Sequence, residues 1–179
     1  MNVFLIRHLR TAENVQRCYS GGSDPPLYDP PEQTPLPYAL PVRRLVVAPA
    51  ARTRETAARW FPRLPMLVEP DLAEMNFGRF AGQTAAQLAA DAAYRLWVES
   101  GCATAVPGGD DPAAFTDRVA LTFRRHAADG VGFVTHAGPI MAVLARFAGM
   151  PFFSLSVRPG QIVQAVWNGV SLTQVEVRP

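Results

Sequence analysis

The chain has no lysine: all 17 of its basic residues are arginine. That excludes a lysine nucleophile and the lysine of a phosphate-binding P-loop. The two cysteines, Cys18 and Cys102, are too few and too far apart for a disulfide framework or a zinc site. No apolar stretch approaches the roughly 20 residues of a membrane span. No basic run is longer than Arg43-Arg44 or Arg124-Arg125, and the formal net charge is only +2, so nothing argues for nucleic acid. No basic region followed by an apolar one precedes the first strand pattern, so no signal peptide is read and a soluble, cytoplasmic protein is expected.

What is present is a globular composition, 49% hydrophobic and 18% charged over 179 residues, enough for one ordinary domain spanning 1–179. Only three histidines occur, and two share an unusual place just past a buried-strand pattern. One follows Asn2-Val3-Phe4-Leu5-Ile6 as Arg7-His8. The other follows Val131-Gly132-Phe133-Val134-Thr135 as His136, with Ala137-Gly138-Pro139 and an apolar helix after it. Apolar runs of this kind read as buried parallel strands. Ligands of open α/β sheets bind beyond the carboxyl ends of such strands.

Further strands are expected at 44–47 and 66–68, and helices at 51–61, 83–99, 112–128 and 139–149. Alanine richness carries the helix over 83–99. Seven prolines between 25 and 41 exclude a regular helix there and suggest a loop over the surface. The tail alternates on either side of Asn168-Gly169, a strong hairpin signal. The order predicts a three-layer α/β/α domain whose mostly parallel sheet ends in an antiparallel hairpin.

The chemistry-bearing residues sit at the predicted strand ends. Arg7 and His8 follow the first strand, Arg52 the second and His136 the later one. Two guanidinium forks can each grip phosphate oxygens through paired bonds. A neutral imidazole can attack phosphorus, and a protonated one can stabilise the charge that grows on the oxygens. Pro139 suits the first turn of a helix whose free N–H groups favour an anion. His126, in Arg124-Arg125-His126, reads as a solvated helix end interacting with the dipole. Asp110-Asp111 reads as a helix cap before Pro112. The carboxylates and histidines show no metal-ligand spacing, so no metal or other cofactor is expected.

Six ordered segments then resemble the histidine phosphatase superfamily, the phosphoglycerate-mutase-like proteins. They are Leu5-Ile6-Arg7-His8-Leu9-Arg10-Thr11-Ala12-Glu13-Asn14, Ser20-Gly21-Gly22-Ser23-Asp24-Pro25-Pro26-Leu27, 48–57, 72–82, Pro107-Gly108-Gly109-Asp110-Asp111 and Val134-Thr135-His136-Ala137-Gly138. The resemblance implies a phosphoglycerate-mutase-like fold and hydrolysis of a small phosphorylated substrate, most like that of alpha-ribazole phosphatases. It implies His8 as phosphohistidine nucleophile, with Arg7, Arg52 and His136 binding the phosphoryl group. It also implies Glu74 as proton donor and Asn14, Ser20, Gly21 and Ala137 at the substrate. Tyr19, Phe77, Phe80 and Trp97 could line a pocket for an aromatic base, with core packing the simpler reading for Trp97 and Phe80.

Three departures stand out. Leu9 replaces the family glycine, which implies backbone strain if that position needs positive φ, or else a narrower pocket. Ala48 replaces a serine, and Pro30-Pro31-Glu32-Gln33-Thr34-Pro35 replaces the family's first helix. A broad small-molecule phosphatase, a phosphoglycerate-mutase-like protein, a protein phosphohistidine phosphatase and a silent phospho-ligand binder are the competing readings. Met150-Pro151-Phe152-Phe153 is compatible with a homodimer patch or an edge strand.

Overall fold

The computed structural model describes residues 1–28, 36, 39–152 and 154–178. Six strands form one mixed sheet: β1 Asn2–Arg7, β2 Arg44–Val47, β3 Met66–Val68, β4 Val131–Thr135, β5 Ile162–Trp167 and β6 Leu172–Arg178. Their spatial order is β3-β2-β4-β1-β5-β6. The pairs β2–β3, β2–β4 and β1–β4 are parallel, while β1–β5 and β5–β6 are antiparallel. The parallel majority and the terminal hairpin are as expected.

Side-chain alternation sends successive residues of a strand to opposite faces of the sheet. Val3, Leu5, Val131 and Phe133 pack on one face with Val119 and Phe123 of α5 (Pro112–His126) and Ile140, Val143 and Leu144 of α6 (Ala137–Ala148). Phe4, Ile6, Leu45, Val47 and Val134 pack on the other with Ala57 and Trp60 of α2 (Ala51–Trp60). The three layers follow directly from strands that are apolar on both sides.

Among the described residues there are also three short α-helices, α1 Ala12–Gln16, α3 Ala85–Leu88 and α4 Ala92–Glu99, and 3-10 turns at Pro70–Leu72 and Gly78–Phe80. The helix expected over 83–99 is thus two. Its break is at Asp91, whose carboxylate accepts from the N–H groups of Ala93 and Tyr94 and starts α4 anew. The helix α1 was not anticipated from the sequence. Thr11 caps it, in a reciprocal pair with Asn14. Asp111 caps α5, as expected, by accepting from Ala114.

His126 departs from its expected solvated place. Its Nε2 lies 2.8 Å from Glu69 Oε2, and the imidazole holds the Glu69 carboxyl below its ordinary range. The described parts of 20–41 contain no helix. Pro30, Pro31, Pro35 and Pro37, the 30–35 replacement segment and Phe153 lie outside the described residues, and with them the question of a moving loop or an apolar 150–153 patch. Among the described residues no helix is long and apolar enough to cross a membrane.

Candidate active site

Sheet order decides where the site forms. Because β4 lies between β2 and β1, three parallel carboxyl ends stand side by side. Register aligns Arg7 with Thr135 and Val47 with Val134. The His8 N–H then continues the ladder to the Thr135 carbonyl at 2.9 Å, and the Ala48 N–H to Val134 at 2.9 Å. Two histidines 128 positions apart in the chain therefore meet, with ring centroids 5.1 Å apart at 66°.

The hydrogen bonds assign each ring its tautomer. His8 Nδ1 lies 2.6 Å from the Leu9 carbonyl oxygen, an acceptor only, so Nδ1 carries the proton and Nε2 keeps its lone pair. Arg52 Nε donates to His136 Nδ1 at 3.3 Å, so His136 carries its proton on Nε2. That Nε2 is buried and has no hydrogen-bond partner, and the same holds for Arg7 Nε. Buried donors are ordinarily paired, so two such groups at the carboxyl edge of the sheet mark where an acceptor belongs.

Electrostatics favours neutral rings. Burial, then the Arg52 and Arg7 guanidiniums, pull the His8 pKa down to about 3. Burial, with His8 and the same arginines, holds His136 well below its ordinary value. Glu74 is displaced the other way. Burial raises its pKa against the opposing pull of the Met75 and Gly138 N–H groups and both arginines. Those N–H groups donate to Glu74 Oε1 at 3.0 Å and Oε2 at 3.3 Å. One N–H of the first α6 turn, expected to face an anion, is therefore spent on Glu74.

Arg52 is 2% exposed although it sits in the first turn of α2. Its NH1 donates to the Ser23 carbonyl at 3.0 Å and its NH2 to that of Ser20 at 3.5 Å. Asp24, 3.6 Å from Arg52 NH1, also accepts from the Ala51 N–H at 2.8 Å. It supplies the cap that Ala50, lacking a side-chain acceptor, cannot. Asp24 is the residue that motif reading missed. A helix starting Pro49-Ala50-Ala51 without an acceptor was the available signal.

Arg7, His8, Asn14, Ser20, Glu74 and Ala137 all line one cavity of about 420 Å³. Gly21 does not. It is buried against the segment 72–82, where a Cβ would lie 1.9 Å from the Met75 carbonyl oxygen. Tyr19, Phe77, Tyr94 and Trp97 form the cavity's aromatic wall. Trp97 thus serves the wall as well as the packing expected of it, whereas Phe80 is fully buried behind it. The Tyr19 and Tyr94 hydroxyls pair at 2.8 Å.

Leu9 neither strains the backbone nor narrows this cavity. The described non-glycine residues with positive φ are Arg17, Cys102 and Gln174. The Leu9 side chain is buried on the α2 side of the sheet, in the cluster that holds Trp60. Its N–H donates to Thr56 Oγ1 at 2.9 Å. Ala48 is likewise buried in the core.

Residues 3–173 match the family model of the histidine phosphatase superfamily, branch 1. The chain belongs to that superfamily. An adenosylcobalamin/alpha-ribazole phosphatase of Salmonella typhimurium is 27% identical, over 97% of this chain and 92% of that protein. Among solved structures, a phosphoglycerate mutase from Thermus thermophilus superposes with a TM-score of 0.78 at 26% identity, covering 98% of each chain. The alpha-ribazole phosphatase from Shigella flexneri gives 0.78 at 24% identity over 99% of this chain and 95% of its own, a likeness of fold.

Proposed function

We propose that this histidine phosphatase is a metal-independent phosphomonoesterase that acts through a phosphohistidine at His8, on alpha-ribazole 5′-phosphate or a related cobalamin precursor. One observation carries the chemistry. The unprotonated Nε2 belongs to a His8 ring 5.1 Å from that of His136, and His136 Nε2 and Arg7 Nε are buried donors without partners. Glu74 borders both the cavity lined by Arg7 and His8 and the smaller one lined by Arg52 and His136. The phosphoryl oxygens take those donors and the Arg52 guanidinium, while Asn14 lines the approach.

In the first half-reaction His8 Nε2 forms a bond to phosphorus as the ester P–O bond breaks, and protonated Glu74 gives its proton to the leaving oxygen. In the second, Glu74 takes a proton from water as that water attacks phosphorus. The P–N bond then breaks, releasing phosphate and restoring His8. His136, its Nδ1 held by Arg52, donates its Nε2 proton as a hydrogen bond to a phosphoryl oxygen and so supports the charge that grows there. Leu9 was the one feature favouring a silent binder, and its place in the core, away from the pocket, removes that support.

The aromatic wall and the names of the relatives support the substrate class. Phosphate release from alpha-ribazole 5′-phosphate, p-nitrophenyl phosphate and 3-phosphoglycerate in EDTA is the test. The expected result is a kcat/KM for the ribazole ester above the others by at least about 100-fold, the scale of a few well-placed contacts. Turnover of the aryl ester alone refutes the substrate; loss of all activity on chelation refutes the mechanism.

Gly138 offers a test of the acid. A Cβ there would lie 2.2 Å from Glu74 Oε1. Within a helix, Gly→Ala ordinarily stabilises by about 1 kcal/mol. Here Gly138→Ala is expected to displace the carboxyl and lower kcat on alkyl phosphates by about 100-fold, the cost of misplacing a catalytic group by about 1 Å. Unchanged kcat with native circular dichroism would remove Glu74 from the chemistry.

A further inference from the structure

Glu74 lies outside the helices and strands, in the stretch 73–77 between the two 3-10 turns. Main chain without a ladder or helix must find other partners for its polar groups. The three carbonyls that precede Glu74 each find a side chain. Arg118 NH1 donates to the Asp71 carbonyl at 2.7 Å and to that of Ala73 at 3.5 Å, and Thr135 Oγ1 donates to that of Leu72 at 2.9 Å. Beyond Glu74, the Asn76 N–H donates to Asp110 Oδ2 at 3.0 Å, and the Asp110 N–H to the Asn76 carbonyl at 2.9 Å. Arg118 NH2 stands 3.7 Å from that same Asp110 oxygen. One ion pair thus grips the chain on both sides of Glu74.

An arginine on a helix surface ordinarily serves water or a weak ion pair. Arg118, on α5, instead holds carbonyls 47 and 45 positions away. A planar guanidinium presents five N–H donors, so it can serve two carbonyls and a carboxylate at once. Its orientation is also fixed, since Arg118 Cζ lies 5.1 Å from the centroid of the Phe115 ring one turn earlier on the helix. Phe115 is buried and packs beside Gly138, whose N–H donates to Glu74 Oε2. The cationic charges that act on the Glu74 carboxyl are those of Arg7 and Arg52. The hold of Arg118 therefore reaches Glu74 through the main chain.

We propose that Arg118, paired with Asp110, is a positioning residue for the proton donor: it fixes 71–73 so that the Glu74 carboxyl stays against the Met75 and Gly138 N–H groups and faces the leaving oxygen. The proposal rests on the reading of Glu74 as the acid and deepens it. Proton transfer needs the donor within hydrogen-bond reach of the departing oxygen. A carboxyl on irregular chain meets that demand only if the chain is held from outside, and α5 supplies the hold. Arg118 touches no substrate, so its loss falls on the step that needs the proton and spares binding.

The test measures kcat and KM for alpha-ribazole 5′-phosphate and p-nitrophenyl phosphate in wild type, Arg118→Met, Arg118→Lys and Glu74→Gln. Methionine keeps an apolar stem over Phe115 but offers no donor. Its kcat on the ribazole ester is expected to fall at least thirtyfold, towards the roughly 100-fold cost of a catalytic group displaced by about 1 Å, with KM and the aryl kcat within about threefold. Lysine keeps the charge and a donor, so Arg118→Lys should lose only about three- to tenfold. Amide hydrogen exchange at Gly138, whose N–H reports on the Glu74 carboxyl, should quicken at least about tenfold in Arg118→Met relative to Phe133 in the core of β4. Parallel losses on both esters, a fall confined to KM, a lysine variant no better than methionine, or unchanged exchange at Gly138 overturns the proposal. If Arg118→Met does not fold, Arg118→Lys decides: a split between the esters of about threefold or more supports the role, and no split refutes it. A split in Glu74→Gln with none in Arg118→Met refutes the positioning role and leaves the acid standing. No split in Glu74→Gln, or no turnover of either ester by the wild type, is a failure of the phosphatase reading. Exchange at Gly138 then decides alone, faster exchange in Arg118→Met supporting the hold on Glu74 and unchanged exchange refuting it.

Discussion

His8→Ala is expected to abolish turnover of every monoester, by about 10⁴-fold or more, the loss typical when a nucleophile that works as a unit with its partners is removed. Two features of the site set the size of this effect. His8 Nδ1 donates to the Leu9 carbonyl, which leaves Nε2 unprotonated. Its pKa, pulled down to about 3, keeps the ring neutral from roughly pH 4 upward. Brief exposure of the wild type to ³²P-labelled substrate should leave acid-labile, base-stable label on the chain. The alanine variant should carry none. His8→Asn keeps a side-chain N–H for the Leu9 carbonyl but cannot form a phosphoimidazole, so it separates chemistry from folding. A variant retaining a tenth of wild-type turnover would rule out the covalent route through His8.

Glu74→Gln has the second largest effect, and its sign depends on the leaving group. An alkoxide needs a proton as it departs; a nitrophenolate does not. General acid catalysis is worth about 10²–10⁴-fold, so kcat/KM on alkyl phosphates should fall by that range and on p-nitrophenyl phosphate by less than tenfold. Burial raises the Glu74 pKa above its ordinary 4.5, which keeps the acid form to higher pH. Activity on alkyl esters therefore declines on the alkaline side as Glu74 loses its proton. That limb should vanish in Glu74→Gln and be absent for the aryl ester. His8, already deprotonated above about pH 3, contributes no acid limb in the working range. Equal losses on both classes of ester would assign the proton to another donor.

How far these features were legible in the sequence depends on how local their causes are. The strands β1, β2 and β4 carry their own signal, because burial on both faces leaves unbroken apolar runs, whereas β3 is an exposed edge strand legible only as the short apolar run Met66–Val68. Asn168-Gly169 marked the turn between β5 and β6 for a similar reason. The positions of His8, Arg52 and His136 followed from those strands, since each lies just past a carboxyl end. Long-range partners left no such mark. The pairing of His126 with Glu69 spans 57 positions, and helix-dipole reasoning could not anticipate it. Propensity ran a single helix through 83–99, where the Asp91 carboxylate instead starts a new one. The five residues of α1 are too few to show a period. The close approach of Gly21 to Met75 depends on two loops meeting, which no sequence window contains.

The bond from His8 to the carbonyl of residue 9 has a wider meaning. What this position must supply is a main-chain oxygen, and every amino acid brings one. The side chain is free to serve elsewhere, and in this protein Leu9 joins the core around Trp60. A pattern search that insists on glycine after the histidine would therefore reject a chain whose histidine ring is already oriented. The signature worth searching for is a strand end that turns its own backbone toward the ring.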